Sequence, residues 1–248
     1  MCIRDSNIVI PARYGSTRLP GKALLPIADK PMVAWVWERA MDAGASHVVV
    51  ATDDERIADE MRSRGADVVM TRADHVSGTD RLAEVSRHLG WAEDAIVINL
   101  QGDEPLIPVA NIQRVVAMLE ENPQAGIATL MEPLERAEAD EPSIVKVVAS
   151  GSGRALYFSR SCIPAQRGDN VPADVFRHVG LYGYRAEFLQ QFVAWAPAPA
   201  ELSESLEQLR ALANDVWVQV ELAPEPVPAG VDTQADLEAM RERMASGA

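Results

Sequence analysis

Short apolar, β-branched runs alternate with amphipathic stretches through the first half of this chain, and that alternation limits the folds open to it. Residues 8–10, 47–51, 67–70 and 95–100 read as strands, and 32–43, 54–64, 81–89 and 109–121 as the helices between them. The strands do not alternate apolar with polar residues, so both of their faces must be covered, as in a parallel sheet packed by helices on either side. At 248 residues the chain is long enough to bury a large core in such an α/β arrangement. The second half is less regular. Residues 144–148 and 155–158 predict a hairpin around Gly151-Ser152-Gly153, 176–184 and 216–222 predict strands, and 201–213 and 232–244 predict helices. Asp232 or Thr233 stands at the expected cap of the last helix, with Asp236 in its first turn. Residues 165–174, rich in Gly, Asp and Pro, predict a mobile loop, and the Ala-Pro alternation of 196–200 a rigid connector.

Open α/β sheets bind ligands at the carboxyl ends of their strands. Three chemically loaded segments fall there: the loop after residues 8–10, Asp53, and Asp103. The first turns at Pro11 and then carries Arg13, Gly15, Ser16, Thr17, Arg18, Gly21 and Lys22. Cations and glycines in a loop leaving a parallel strand suit a polyphosphate, which backbone N–H groups and fixed charge can surround. The net charge of the whole chain is −14, so this cationic loop runs against the trend and needs an anion to hold. It fits neither GxGxxG nor GxxxxGK[ST], because Ala23 follows Lys22.

Leu100-Gln101-Gly102-Asp103-Glu104-Pro105 follows the strand that ends at Leu100, with Gly102 expected to allow a sharp turn. Asp103 either caps that turn or ligates Mg²⁺, which takes one or two carboxylates beside phosphate and water. Asp232 in Gly230-Val231-Asp232-Thr233 reads, on the residues alone, as an N-cap. The polar segment 71–81 reads as a capping loop that starts a helix near Thr79-Asp80. Tyr182 and Tyr184 are expected on alternate faces of a strand, one in the core, and His178 as a structural imidazole.

Composition narrows the classes. A charge of −14 is repelled by nucleic acid and by anionic membranes, and no run of about 18 apolar residues exists to span a bilayer. Cys2 and Cys162 make no disulfide framework and no metal spacing, which fits a reducing cytoplasm. The first six residues, MCIRDS, fit neither a signal peptide nor the strand pattern that starts at Asn7, and are expected to be a disordered or non-native leader.

The loop 11–22 resembles the xPARxxSxRLPGK signature of sugar-activating nucleotidyltransferases. Further segments are similar to one branch of that family, the 3-deoxy-manno-octulosonate (Kdo) cytidylyltransferases that make CMP-activated sugar acids. These are TRADHVSGTDR at 71–81, LQGDEP at 100–105, ALYFSR at 155–160, RHVGLYGYR at 177–185, LEQLR at 206–210 and GVDT at 230–233. Asp80 stands where the family carries Glu, and Leu212-Ala213-Asn214-Asp215 where relatives tend to carry an aromatic residue and glycine. The resemblance implies a Rossmann-like, mainly parallel sheet of the nucleotide-diphospho-sugar transferase type with a smaller, irregular β-rich part. Residues 7–248 would form a single nucleotidyltransferase domain. Its nucleotide-binding half would cover about 7–125, its sugar-binding and dimerisation half about 126–230, and its terminal helix about 233–245.

The implied reaction is CMP transfer from CTP to Kdo, giving CMP-Kdo and pyrophosphate for lipopolysaccharide biosynthesis, by a cytoplasmic, Mg²⁺-dependent homodimer. Pro11, Ala12, Arg13, Ser16, Arg18, Lys22, Arg72, Ser77, Gly78 and Gln101 would meet the nucleotide. Gln101, Arg160, His178, Tyr184, Glu207 and Gln208 would meet the sugar acid, with Arg160 and His178 on its carboxylate. Arg13, Arg18, Lys22, Asp103 and Asp232 would carry the chemistry, the two carboxylates on the metal. The alternatives are CMP-sialate or CMP-8-amino-Kdo synthesis, and an inactive nucleotide-sugar-binding protein. A glycosyltransferase on the related fold would usually show Asp-x-Asp, where this chain has Gly102-Asp103-Glu104.

Overall fold

The computed structural model describes residues 3, 6–16, 18–168 and 173–246. The first half builds the expected alternation. Strand β1 (Ser6–Ala12) is followed by a short hairpin of β2 (Pro26–Ile27) and β3 (Lys30–Pro31), then α1 (Met32–Ala43) and β4 (His47–Thr52). Next come α2 (Glu55–Ser63), β5 (Asp67–Met70), α3 (Gly78–His88), β6 (Ile96–Asn99) and α4 (Val109–Glu121). The second half supplies β7 (Ala125–Leu134), β8 (Lys146–Ala149), β9 (Ala155–Ser159), β10 (Val175–Arg185), α5 (Ala186–Ala194), α6 (Pro199–Glu204), α7 (Gln208–Ala213), β11 (Trp217–Leu222) and α8 (Gln234–Ser246).

One sheet runs through both halves in the order β11-β7-β10-β6-β1-β4-β5, with β8 and β9 joined to it through β10. Strands β6, β1, β4 and β5 are parallel, as are β7 and β11, while β10 runs antiparallel between β6 and β7. The absence of polar alternation has the expected cause. Ile8 and Ile10 pack with Val33, Val36 and Val115 on one face, and Val9 packs with Leu82, Val85 and Leu209 on the other. A third, smaller cluster joins Leu19, Ile27 and Met32 to Val231, Leu237 and Met240, tying the C-terminal helix to the cationic loop.

Local chemistry sets several boundaries. Asp54 caps α2 by accepting from Arg56 N–H at 3.0 Å. Ser77 and Asp80 form a reciprocal capping box on α3, so the shorter acid at position 80 still closes the turn. Besides the short β2–β3 hairpin, two elements escape the sequence reading. β7 is an apolar run carrying Gly126 and Pro133, and α5 begins at Ala186 directly after β10 ends, with no turn residues to mark the change. The single helix expected over 201–213 is two helices. Ser205 between them is left-handed (φ 52°), and Leu206 N–H closes onto Glu201 O at 3.2 Å.

Ser6, expected in the leader, opens β1 opposite Ile96, and Ile3 is buried. Met1, Cys2, Arg4 and Asp5 lie outside the described residues, as do 169–172 of the segment 165–174. Gly102 is required by a close approach and not by the sharp turn expected of it, because a Cβ there would stand 3.0 Å from Pro11 O. Gly102→Ala is therefore expected to push the 101–103 turn off the end of β1 and to cost about 1–3 kcal/mol, read by urea unfolding.

Candidate active site

At the carboxyl edges of β1 and β6 lies a cavity of about 450 Å³. The loop after β1 makes one wall. Its Tyr14 carbonyl accepts from both Ser16 and Gly21 N–H at 3.0 Å, and Leu19 N–H donates to Ser16 Oγ at 3.3 Å. The Tyr14 ring lies under the Arg56 guanidinium, 3.3 Å from its centroid, and against Gly21. Gly21 has φ 69°, and a Cβ there would meet the ring at 3.2 Å, so both backbone and space call for glycine. The loop thus folds back on Tyr14 and presents Arg13, Ser16, Arg18 and Lys22 to the cavity. Thr17 lies outside the described residues.

Two carboxylates meet this wall. Lys22 Nζ lies 2.6 Å from Asp103 Oδ2 and 3.0 Å from Asp232 Oδ1, and Arg18 reaches the same Asp232 oxygen at 3.0 Å. Burial alone would lower the Lys22 pKa, but Asp103 and then Asp232 outweigh it and hold the pKa above its ordinary value, so the group stays an ammonium. Asp232 is not the helix cap. That task falls to Thr233, whose Oγ1 accepts from Asp236 N–H at 3.2 Å while the Asp236 carboxylate accepts from Thr233 N–H at 2.8 Å. Asp103 and Asp232 are hard oxygen donors converging on one cationic nitrogen, and no group of three or more acidic, His or Cys side chains surrounds a point among the described residues. Such a pair suits a cation that completes its shell with water and substrate phosphate, as Mg²⁺ does, and not one needing a full protein cage.

Beneath them sits Glu104, which sequence reasoning did not single out. Its Oε2 is buried and has no hydrogen-bond partner among the described residues, and burial, reinforced by Asp103, pushes its pKa up to about 8.

The opposite wall comes from β10, α3 and α7. Tyr182 and Tyr184 do not take opposite faces. Residues two apart on a strand share a face, and both rings line the cavity, stacked with centroids 5.9 Å apart. Glu207 and Gln208 reach the cavity because the chain breaks at Ser205, and Glu207 accepts from Thr79 Oγ1 at 2.8 Å. Burial raises the Glu207 pKa above the ordinary carboxylate value. Asn99 and Thr79 also line this wall. The polar Asn99 closing the apolar run Ile96-Val97-Ile98 was the available sequence signal.

Of the expected contacts, Pro11, Ala12, Arg13, Ser16, Arg18, Lys22, Gly78, Gln101, Asp103, Tyr184, Glu207, Gln208 and Asp232 line the one cavity. Four do not. Arg72 is exposed and pairs with Asp74, and Ser77 is taken up by its capping box. Arg160 spends its guanidinium on the carbonyls of Glu204 at 2.7 Å and Pro142 at 2.9 Å. His178 stands behind Tyr182, edge-on to Phe158 and 2.9 Å from Thr129 Oγ1, and burial pushes its pKa down to about 3. A neutral imidazole there is not a cationic partner for a carboxylate.

The chain belongs to the cytidylyltransferase family, whose sequence model matches residues 7–220, and it is a nucleotidyltransferase. Within that family it is similar to 3-deoxy-manno-octulosonate cytidylyltransferases. It is 55% identical over 244 residues to that of Pseudomonas syringae pv. tomato, covering 95% of this chain and 96% of the relative. It is 51% identical over 248 residues to that of Hahella chejuensis, covering 96% and 97%. The structure of a CMP:2-keto-3-deoxy-manno-octonic acid synthetase complexed with CTP superposes with a TM-score of 0.92 at 46% identity, covering 98% of this chain and 100% of that one. A cytidylyltransferase from Leptospira borgpetersenii, at 19% identity and TM-score 0.63, shares the fold.

The enclosure of His178 makes a prediction for stability. The folded state holds this imidazole neutral, with its pKa at about 3, whereas the unfolded chain protonates it near the ordinary value of 6.5. Stability is therefore expected to fall as pH drops below that ordinary value, by at most about 1.4 kcal/mol per pH unit from this group. Urea midpoints for wild type and His178→Gln at neutral and mildly acidic pH are expected to show the shallower acid loss in the variant. Equal losses would put the proton elsewhere.

Proposed function

We propose that this chain transfers CMP from CTP to Kdo, releasing pyrophosphate. The observation that carries the reading is the convergence of Arg13, Arg18 and Lys22 with Asp103 and Asp232 at the mouth of one cavity, in a chain whose close relatives include a synthetase solved with CTP. A triphosphate needs several fixed cations, and a body of net charge −14 offers few such places. The Tyr182, Tyr184, Glu207 and Gln208 wall is the complementary feature: polar tips on an aromatic face suit the hydroxyls of a sugar acid.

The anomeric hydroxyl of the sugar attacks the α-phosphorus. A new P–O bond forms, the bond to the β-phosphate oxygen breaks, pyrophosphate leaves, and the hydroxyl proton passes to solvent. Arg13, Arg18 and Lys22 neutralise and align the phosphates, so the protein's contribution is chiefly positioning and charge stabilisation. Asp103 and Asp232 would hold Mg²⁺, which when bound neutralises phosphate charge and lowers the pKa of an oxygen on it.

Kdo is favoured over sialate and 8-amino-Kdo because the relatives that this chain resembles act, by name, on 3-deoxy-manno-octulosonate. We further infer a homodimer in the cytoplasm. Strand β9 is an edge strand with Leu156 58% and Tyr157 39% exposed, and no helix among the described residues is long and apolar enough to cross a membrane. Pyrophosphate release from CTP, with Kdo, 8-amino-Kdo and sialate offered in parallel, tests the substrate. Release with sialate alone would overturn it.

Two variant sets test the site. Asp103→Asn and Asp232→Asn are expected to keep the fold and lose most turnover, and the wild type to lose its activity in excess chelator. If Asp232→Asn changes only the melting temperature, the aspartate has no part in metal binding. Gln208→Ala is expected to raise the KM for the sugar by about five- to a hundredfold, the cost of a lost buried hydrogen bond, with the Kd for CTP almost unchanged. Calorimetry with CTP beside steady-state kinetics in sugar reads both. A fall in CTP affinity at constant sugar KM would reverse the assignment of the two walls.

A further inference from the structure

Asp232 arrives on a segment, residues 223–233, that has no helix or strand of its own. Such a segment is located only by the bonds that others make to it. Ala223 N–H donates to Met131 O at 2.9 Å, which continues the β7 ladder for one residue. Asn111 of α4 then grips Glu225 twice, accepting from its N–H at 3.0 Å and donating to its carbonyl at 2.8 Å. Two residues on, Val227 is gripped the same way by two side chains. Its N–H donates to Glu132 Oε1 at 2.7 Å, and its carbonyl accepts from Arg177 at 2.7 Å. Glu132 of β7 and Arg177 of β10 are themselves ion-paired across the ladder, directly opposite each other. The segment ends with Val231 N–H on Asp103 O at 2.9 Å, one residue before Asp232.

We propose that the Glu132–Arg177 pair is a positioning device for Asp232, fixing the register of the 223–233 segment so that this carboxylate meets Asp103 at the cavity. The argument is one of direction. Val227 and Val231 are buried and would be held by apolar contact in any of several registers, whereas an acceptor and a donor on adjacent strands match the N–H and carbonyl of one residue only. The geometry also gives Arg177 a task. It falls in the RHVGLYGYR segment whose resemblance is to a sugar-binding half, yet its guanidinium serves the backbone of the segment that carries Asp232. The proposal rests on the reading that Asp232 holds a divalent cation with the triphosphate.

The test compares the calorimetric Kd of CTP without metal with that of Mn²⁺–CTP, in the absence of sugar so that nothing turns over. Arg177→Met is expected to bind metal-free CTP as the wild type does and to lose roughly tenfold of the Mn²⁺-dependent gain, the scale of losses at groups that orient metal ligands. Arg177→Lys, which keeps the charge and a donor, is expected to recover most of it. Glu132→Gln keeps the shape but removes the charge that holds Arg177 on the Val227 carbonyl, so it is expected to lose part of the Mn²⁺-dependent gain, and it is the variant to read if Arg177→Met does not fold. Sugar KM is expected to stay constant throughout. Folded Arg177→Met and Glu132→Gln with a wild-type metal gain would overturn the proposal and leave the pair a structural bridge. Asp232→Asn separates the two levels. If it too keeps the wild-type gain, the metal reading itself fails and the positioning role fails with it. If it alone loses the gain, only the positioning role fails.

Discussion

The ammonium of Lys22 joins two carboxylates that lie 81 and 210 residues further along the chain, and much of the fold is organised by the need to bring those three groups together. Each arrives by a different route. Lys22 ends the loop folded around Tyr14, Asp103 follows the turn pressed against Pro11 O, and Asp232 comes in on a segment without secondary structure. The small cluster of Leu19, Ile27, Met32, Val231, Leu237 and Met240 closes the circuit from below, since it packs the cationic loop and the final helix on one another. Apolar burial there supplies adhesion without direction, and the ion pairs above it supply direction.

The loop after β1 is a cationic stretch on an acidic body, and at the cavity it meets the carboxylates of Asp103, Asp232 and Glu207. Over distances beyond about 8 Å at physiological ionic strength the net charge of −14 is screened, so the field of the loop is felt only by anions that have already come close. The charge of the whole molecule therefore speaks to solubility and to excluded partners, while the charge of one ten-residue stretch speaks to chemistry.

What could be read in advance was what depends on neighbours in sequence. The parallel strands, the first four helices, the phosphate-type loop and the turn with Asp103 follow from local pattern, and all stand close to their expected bounds. The family resemblance extended this to Asp232, which the residues alone assigned to capping. The structure explains why both were reasonable: a cap was needed, and Thr233 with Asp236 supplied it, leaving Asp232 to the cavity. The misplacement of Tyr182 and Tyr184 was local, since residues two apart on a strand share a face, but the remaining failures have a long-range cause. Nothing local says that Arg160 will be used up on Glu204 and Pro142 carbonyls, or that His178 will be shut behind Tyr182. The helix over 201–213 has continuous helical composition, and its break at Ser205 is visible only where Glu207 and Gln208 must face the cavity.

Strand β10, reversed between β6 and β7, gives the cavity walls of unequal stiffness. Ladders grip both edges of its C-terminal part, to β6 on one side and β7 on the other, so the Tyr182 and Tyr184 rings sit on backbone that is clamped from both sides. The facing loop has no ladder and is fastened at points: the Tyr14 carbonyl, one ring stack, Leu19 in the small apolar cluster and the ion pairs of its own cations. The cavity is in this sense a vice with one fixed jaw and one sliding jaw. Any ordering that a ligand imposes on this cavity falls on the loop, and its entropic cost is drawn from the contacts that the loop makes, while the aromatic jaw keeps its shape.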